Sequence, residues 1–472
     1  AKRALARGLF AEAENLLRQA VAAQIRRNPN PYDGEALYQL GLCLEWVGRD
    51  EEALGAHGKA AWNYAWKGAA KVGMARCYAR AGDFESAEQA LVEARTTLGD
   101  ANLIDSMLAA FARLRGDVAG VHRHVQAVLA RDPLDHGALY ESAVESGDFG
   151  AFERAMRGDV QSFIDLALDY REFGLHSDAD RLLQQAPGRH PVVAVLLGGR
   201  ASDSDPIEGL FPNRIQEMIA LGQAVDRDPT DWAARSLLGH WLYDRRRYAD
   251  AMDQWEASVA LNSDQSVVWR NIGLGATNFR QDLLLGREAY ERAMAADPAD
   301  ARLVYERDQL WKRAGVSPQE RLAALEGARD LVEQRDDATL ELCALYNQTG
   351  QPEKAVELLS SRVFAPWEGG EGVALGQHAR AHLLLARRRP DHAVALIEKA
   401  LQAPENLSEA RHLLANASDL WVAMGDALYA HGRTEEARQW FVRASDFRGD
   451  FQEMSVRVFS EMTYYRAIAM DR

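Results

Sequence analysis

The sequence predicts an all-α fold, a right-handed α-solenoid of roughly nine or ten stacked helix hairpins. The first observation is a 34-residue interval between small residues, which runs through Gly41, Ala75 and Ala109 and restarts at Gly239 and Gly273. The second is that apolar residues at helical spacing flank glycine turns along most of the chain. Such hairpins cannot bury their apolar faces alone, so they stack on their neighbours.

One segment, 413–449, shows the pattern of a hairpin most clearly. Trp421 and Gly425 lie on one face of a first helix, Gly432 ends it, and Ala437 and Phe441 lie on one face of a second. Gly425 and Ala437 are expected where the helices cross closely, with Trp421 and Phe441 filling the space toward the next hairpin. A 34-residue helix–turn–helix unit of this kind is identified as a tetratricopeptide repeat.

The same template describes most of the remaining chain. Matching segments are 35–66, 68–100, 103–133, 162–186, 231–263, 267–298, 301–330, 339–363 and 375–404. Residues 138–160 form a shortened unit. Residues 4–26 match a second helix whose partner first helix is only partly present or missing, which suggests that an upstream part has been removed. The sequence therefore predicts an N-terminal array at 1–187, an irregular connector rich in glycine and proline at 188–230, and a C-terminal array at 231–472.

The net charge and the apolar content of the chain limit the kinds of partner it can bind. The 472 residues carry a net charge of −15 and an isoelectric point near 5.4, which argues against nucleic acid. The longest apolar run, 192–197, is too short to span a membrane. Cys43 and Cys77 are 34 residues apart on successive first helices, a spacing unsuited to a disulfide, and three cysteines in this context favour the cytoplasm. No secretory signal precedes Ala4.

Four segments resemble one family more narrowly: 30–35 (Asn-Pro-Tyr-Asp-Gly-Glu), 61–66 (Ala-Trp-Asn-Tyr-Ala-Trp), 364–372 (Phe-Ala-Pro-Trp-Glu-Gly-Gly-Glu-Gly) and 404–407 (Pro-Glu-Asn-Leu). They are similar to the C-terminal repeat half of large bacterial proteins whose N-terminal half is a β-rich domain of unknown function. The resemblance implies a bacterial source and no catalytic residues in this part. It also makes that N-terminal domain a candidate partner.

The inner face of the predicted solenoid is the expected groove for a protein or peptide. Aromatic, histidine and charged residues counted onto that face are Tyr38, Arg76, Arg113, His240, Tyr243, Arg270, Asp308, Trp311, His378, His382, Asp426 and Tyr429. The alternative is an inner face that is merely solvated.

A histidine pair, an aromatic cluster and a glycine-rich loop are further candidate sites. His378 and His382 are four residues apart, but only Glu371 offers a third ligand, so no metal and no cofactor are predicted. Trp62, Tyr64 and Trp66 are expected to end a second helix and to pack between repeats. The alternative is that these aromatic side chains stack against sugars. Trp367 and Glu368 lie in a glycine-rich loop, which is predicted either to dock against the missing N-terminal half or to bridge adjacent repeats.

No nucleophile motif, phosphate loop or Cys-x-x-Cys pair occurs, so the chain is not expected to be an enzyme. The sequence favours a non-catalytic protein–protein interaction scaffold. The alternative function is the accessory half of a bacterial carbohydrate-active enzyme whose catalytic domain lies elsewhere. A third possibility is a sensor of short peptide signals.

Overall fold

The computed structural model describes residues 1–26, 28–29, 32–99, 101–203, 207, 209–365, 370, 372–452 and 455–472. These residues are mainly α-helical, and the helices stack in pairs as predicted for an all-α repeat solenoid. The chain divides into two compact units, unit 1 at Ala1–Asp264 and unit 2 at Gln265–Arg472.

Unit 1 holds sixteen described helices, paired in sequence. They are α1 (Lys2–Ala6), α2 (Phe10–Ile25), α3 (Glu35–Trp46), α4 (Asp50–Ala60), α5 (Tyr64–Arg80), α6 (Phe84–Leu98), α7 (Asn102–Leu114), α8 (Val118–Leu129), α9 (His136–Ser146), α10 (Gly150–Met156), α11 (Val160–Glu172), α12 (His176–Gln185), α13 (Pro191–Leu196), α14 (Ile215–Arg227), α15 (Trp232–Asp244) and α16 (Tyr248–Leu261). A 3₁₀ turn spans Ala201–Asp203.

Unit 2 continues the same pairing. Its helices are α17 (Ser266–Gly275), α18 (Leu283–Ala296), α19 (Ala301–Arg313), α20 (Pro318–Gly327), α21 (Arg329–Val332), α22 (Asp336–Gln348), α23 (Pro352–Ser360), α24 (Val373–Arg388), α25 (Ala393–Leu401), α26 (Ser418–Ala430), α27 (Thr434–Asp446) and α28 (Met462–Asp471). A π-helical turn follows α17 at Ala276–Arg280, and 3₁₀ turns span Pro390–His392 and Glu405–Leu407. Between α27 and α28, β1 (Asp450–Gln452) pairs antiparallel with β2 (Ser455–Arg457).

Local sequence sets the helix ends within each pair. Asp83 and Asp117, 34 residues apart, accept hydrogen bonds at the N-termini of the second helices α6 and α8. Such carboxylates satisfy backbone N–H groups that have no partner within the helix. Gly147, with a φ of 76°, closes α9 in the left-handed conformation that glycine adopts without strain.

Small residues of the first helices face large rings of the second helices, which explains the glycine interval. A Cβ on Gly425 would lie 2.4 Å from Cε1 of Phe441, and one on Gly239 would lie 2.4 Å from Cδ1 of Trp255. Phe441 therefore packs on Gly425 within its own hairpin. The ring of His57 packs between Gly41 and Gly73, which lie on successive first helices.

The structure contains helix pairs beyond the nine or ten expected. The segment 2–6 forms the short partner helix α1, and the predicted connector at 188–230 contains α13 and α14 joined by an irregular loop. These pairs escaped the template because α1 and α13 are too short to show a helical period. The division into arrays at 1–187 and 231–472 stays a prediction.

The first helix pair of unit 1 also contacts the last pair of that unit. Arg7 donates from Nε to the carbonyl oxygen of Arg245 at 3.1 Å and from Nη2 to that of Arg246 at 2.9 Å. The neighbouring Gly8 lies so close to Met218 that a Cβ there would come within 2.4 Å of its methyl group. Unit 1 is therefore joined end to end by direct contacts.

Candidate functional site

Unit 1 encloses a cavity of about 430 Å³ on the inner side of its first helices, the inner cavity. Its walls come from α3, α5, α11, α13 and α14. Arg80 of α5 reaches across and donates to the carbonyl oxygen of Glu172 in α11 at 2.6 Å. Because inner helices from distant hairpins meet here, the inner face of unit 1 surrounds a cavity.

A buried carboxylate, Glu45, organises one wall of the inner cavity. It accepts hydrogen bonds from Arg76 Nε and Nη2 at 2.9 and 2.8 Å and from Arg80 Nη2 at 2.9 Å. His57 Nε2 lies 2.8 Å from the same carboxylate. Burial acts to raise the pKa of Glu45, but the bonds from Arg76 and His57 outweigh it and hold that pKa well below its usual range.

A second buried cluster lies around Arg113. Its guanidinium donates from Nε to Glu141 at 2.7 Å and pairs with Asp178 at 3.1 Å. The Tyr170 hydroxyl donates to Glu141 at 2.5 Å. Burial keeps the pKa of Glu141 raised despite the bond from Arg113.

Three predicted groove residues, Tyr38, Arg76 and Arg113, thus lie on inner helices but are engaged with their own protein. Tyr38 stacks on Trp66 with ring centroids 5.1 Å apart. The two arginines are half-buried and hold carboxylates of neighbouring repeats. They tie repeats together, and their charge is already compensated.

His240 and Tyr243 lie together on α15. His240 is buried and its ring lies 5.9 Å from that of Trp255, while Tyr243 contacts Trp255 at 5.2 Å. Burial lowers the pKa of His240 to about 4, so the ring is neutral near pH 7. His240 is a core residue of its hairpin.

In unit 2, Arg270 and Asp308 also form ion pairs between helices. Arg270 donates twice to Glu306 of α19, both at 2.6 Å. Asp308 accepts from Arg321 of α20 at 2.9 and 2.6 Å, and Arg321 also reaches Glu341 of α22 at 2.6 Å. These contacts repeat the pattern of unit 1.

Trp311 is buried and sandwiched between two arginines. The guanidinium carbons of Arg287 and Arg307 each lie 4.8 Å from the centre of its ring. Such cation–π contacts stabilise a packed ring. Trp311 is therefore largely covered by its own protein.

His378 and His382 stand side by side on α24 with ring centroids 4.5 Å apart. His378 Nε2 donates to the carbonyl oxygen of Lys399 at 2.9 Å, and burial lowers the pKa of His382 to about 4. Glu371, the only third ligand suggested by sequence, lies outside the described residues. In the part of the chain that is described, no group of three or more histidine, cysteine or acidic side chains is arranged to hold a metal.

Asp426 and Tyr429, the last two predicted groove residues, are exposed on α26. Asp426 lines a cavity of about 610 Å³ in unit 2, the C-terminal groove, and pairs with Arg472 at 3.0 Å. The lining residues come from α24, α25, α26 and α28 and from the 3₁₀ turn at Pro390–His392. Among the residues predicted for the groove, Asp426 alone lines a described cavity of unit 2.

The C-terminal groove combines an apolar floor with a charged rim. Residues that line it are Leu383, Ala386, Arg387, Pro390, Asp391, Ala393, Ile397, Asp419, Val422, Ala423, Asp426, Ala427, Ala430, His431, Tyr465, Ile468 and Arg472. Tyr465, Ile468 and Arg472 were missed because the last template match ends at Gly449. The helical spacing of Tyr465, Ile468 and Ala469 is the signal that could have found α28.

The four family-like segments join in pairs in the structure. Trp66 Nε1 donates to Asp33 Oδ1 at 3.0 Å, and the amide N–H of Phe364 donates to the carbonyl oxygen of Asn406 at 2.8 Å. Asn406 in turn donates to the carbonyl oxygens of Leu359 and Arg362 at 2.8 and 2.9 Å. The described parts of these segments therefore hold loops against neighbouring repeats.

The aromatic cluster at 62–66 differs from expectation. Trp62 and Tyr64 are 75% and 77% exposed, because α5 begins at Tyr64 and the two residues flank the turn before it. The prediction that they end a second helix and pack between repeats was wrong, whereas Trp66 does pack on Tyr38. Trp367 and Glu368, the predicted docking loop, lie outside the described residues.

The paired helices, the small residues on first helices and the inner-face cavities define a tetratricopeptide-type helical repeat protein. No family model matches the chain. Among the described residues, none of the helices combines the length and the apolar character that a bilayer-spanning segment requires.

Solved structures with similar helical repeats include three that show the range of the resemblance. MamA is 18% identical, with 48% of this chain and 95% of that chain covered and a TM-score of 0.23. YrrB, described as a TPR protein with an unusual peptide-binding site, is 14% identical over 47% of this chain and 98% of its own, with a TM-score of 0.29. Yeast Tom70 is 13% identical over 100% of this chain and 95% of its own, also with a TM-score of 0.29. Scores this low do not establish a shared overall arrangement.

Proposed function

We propose that this protein is a non-catalytic interaction scaffold and that the C-terminal groove binds a peptide segment of a partner protein. The observation that carries the proposal is the groove itself, about 610 Å³ in volume and lined by residues of α24, α25, α26 and α28. That volume lies within the range of about 300–1,000 Å³ that is typical of ligand sites. The inner cavity of unit 1 is a weaker candidate, since its arginines already bond Glu45 and Glu172.

The chemistry of the groove fits an extended peptide with an aliphatic anchor. Val422, Ala423 and Ile468 supply apolar surface for a buried side chain. Arg387 and Asp391 stand on the rim, where the carbonyl and N–H groups of a peptide backbone require partners. Apolar anchors in such pockets contribute most of the affinity of an interface.

The test is selection of random peptides on the full chain, followed by a measured Kd for each enriched peptide. Ala423→Arg places a long charged side chain in the groove and should weaken binding by about tenfold or more, the equivalent of about 1.4 kcal/mol. Val442→Arg is the matched control, because Val442 is 49% exposed on the second helix α27 and does not line the groove.

Unchanged thermal unfolding of both variants would show that the fold is intact. Enriched peptides that bind wild type and Val442→Arg equally, but not Ala423→Arg, support the proposal. Equal binding to all three chains, or no enriched peptide, would rule out the groove as the peptide site. If the chain is joined to an N-terminal β-rich domain, as the family resemblance implies, that domain tested as a partner in the same assay addresses the docking predicted for Trp367 and Glu368.

A further inference from the structure

A third cavity of about 510 Å³ lies in unit 1, beside the loop that joins α13 to α14; we name it the connector cavity. It is bounded by the first residues of α11, the first residues of α13 and the segment that precedes α14. Its lining residues are Gly158, Asp159, Val160, Gln161, His190, Val192, Gly209, Leu210, Phe211, Pro212, Asn213 and Glu217.

The charges of the connector cavity are one-sided. Asp159 and Glu217 line it, and the described lining includes no lysine or arginine. His190 adds no positive charge near pH 7, because its Nδ1 accepts the N–H of Val192 at 3.2 Å and burial lowers its pKa. By contrast, Arg76, Arg80 and Arg171 line the inner cavity of the same unit.

Glu217 has one oxygen bonded and one without a partner. Its Oε2 accepts the backbone N–H groups of Asn213 at 2.9 Å and Arg214 at 2.7 Å, which closes the N-terminus of α14. Its Oε1 has no hydrogen-bond partner although the residue is 0% exposed. Buried polar atoms of this kind are uncommon, since each leaves a desolvated acceptor uncompensated.

Burial raises the pKa of Glu217, and a side-chain interaction with Gln161 acts against this rise. The shortest bonds of the nearby donors go to other acceptors. Gln161 Nε2 donates to Asp165 at 3.1 Å, and Arg214 Nη2 donates to Asp169 at 2.9 Å. Arg214 Nη1 also bonds the carbonyl oxygen of Asp165 at 2.8 Å. A donor that arrives with a ligand can therefore bond Oε1 of Glu217 in competition with Gln161.

We propose that the connector cavity binds a cation on a short apolar stem, an alkylammonium or guanidinium group that donates to Oε1 of Glu217. The cationic head complements the two carboxylates, and a charge-assisted hydrogen bond is about twice as strong as a neutral one. Val160, Val192 and Leu210 provide apolar walls for the stem. The cation can come from a lysine or arginine side chain of a protein or from a free amine.

The experiment titrates n-butylammonium chloride into the full chain labelled at leucine and valine methyl groups. The methyl signals of Val192 and Leu210 should shift on binding, and n-butanol, equal in stem but uncharged, should not shift them. Glu217→Gln should weaken binding by about tenfold or more, since it removes the charge-assisted bond. Glutamine still accepts the two backbone N–H groups, so α14 should remain capped.

Two further variants keep the test decisive. Phe211 is 49% exposed, so Phe211→Lys should fold and deliver its own ammonium to the cavity, which should abolish the butylammonium response. Asp148→Asn is the control, because Asp148 caps α10 outside the cavity and its variant should respond as wild type does.

Shifts that are equal for butanol and butylammonium, or that persist in both Glu217→Gln and Phe211→Lys, would overturn the proposal. Spermidine and a lysine-containing pentapeptide then distinguish the source of the cation. Tighter binding of spermidine than of the peptide assigns a free polyamine, and the reverse order assigns a basic side chain of a partner. Either order supports a cation site.

Discussion

Replacing Gly425 with alanine should destabilise the protein, although the same change in the middle of a helix normally stabilises it. In an open helical position alanine gains about 1 kcal/mol over glycine, because it restricts the unfolded chain. At Gly425 the added Cβ would lie 2.4, 2.7 and 2.8 Å from three ring carbons of Phe441. Contacts that short require the ring to move.

The ring of Phe441 has little room to move. Phe441 is 8% exposed and belongs to the core cluster that includes Trp421 and Met424. Forcing extra atoms into such a core costs about 1–3 kcal/mol. Subtracting the helical gain from this cost leaves an expected net loss of up to about 2 kcal/mol in the stability of this hairpin.

Gly376 is the matched comparison, since it lies in α24 and no atom comes within 4 Å of a Cβ built there. Gly376→Ala should therefore stabilise its helix. Hydrogen exchange resolved by peptide measures the opening free energy of each hairpin separately, which a single melting curve of two units does not. A third variant, Gly425→Ala with Phe441→Leu, should recover part of the loss because the smaller side chain relieves the contact.

The reasoning would be refuted if Gly425→Ala slowed exchange in α26 and α27 as Gly376→Ala does in α24. It would also fail if Phe441→Leu added its full cost on top of Gly425→Ala. Additive costs would mean that the two residues do not contact each other in the way described.

Three other predictions follow from buried groups. Glu45→Gln should cost about 3–5 kcal/mol by urea unfolding of unit 1, because it removes the buried carboxylate that pairs with Arg76 and Arg80 and leaves Arg76 the weaker 3.7 Å contact with Glu172. Glu436→Gln in an exposed pair should cost much less. The pKa of Glu45 is lower in the folded state than in the unfolded state. Glu45 therefore contributes its full stabilisation above the unfolded pKa of about 4.3, and this stabilisation is lost as the pH falls from there toward the folded pKa. The urea midpoint of the wild type should drop in acid, and that of Glu45→Gln should drop less. Burial raises the pKa of the Cys343 thiol to about 12, so iodoacetamide at pH 8 should label it in urea but not in the native protein, as mass spectrometry would show.

The sequence predicted the helical hairpins well because their determinants are local. Gly239 and Gly425 each lie where a ring of the second helix packs on the first helix. Asp83 and Asp117 mark the starts of two second helices 34 residues apart. Helices as short as α1 and α13 carry too few residues to show a period. They were found only in the structure.

The site was less predictable because its partners come from other repeats. Arg76 lies on the first helix α5, and its acceptor Glu45 lies 31 residues away along the chain. Its place in a ligand groove stays a prediction. Arg270 likewise bonds Glu306 across 36 residues. The repeat pattern indicates which face of a helix a side chain lies on. It does not indicate which residue of another repeat forms an ion pair with that side chain. The arginines predicted for the groove form ion pairs with carboxylates of neighbouring repeats.

The contact of Arg7 with Arg245 and Arg246 has a consequence for how unit 1 folds. These bonds join residues 238 and 239 positions apart, whereas hairpins in an open repeat array contact only their neighbours. An open array frays from its ends and can nucleate anywhere. In unit 1 the two ends protect each other, so their closure is a late, non-local and slow step of folding. After the two ends have met, the opening of one hairpin should disturb the contacts of all the others. We therefore expect unit 1 to unfold in one cooperative transition.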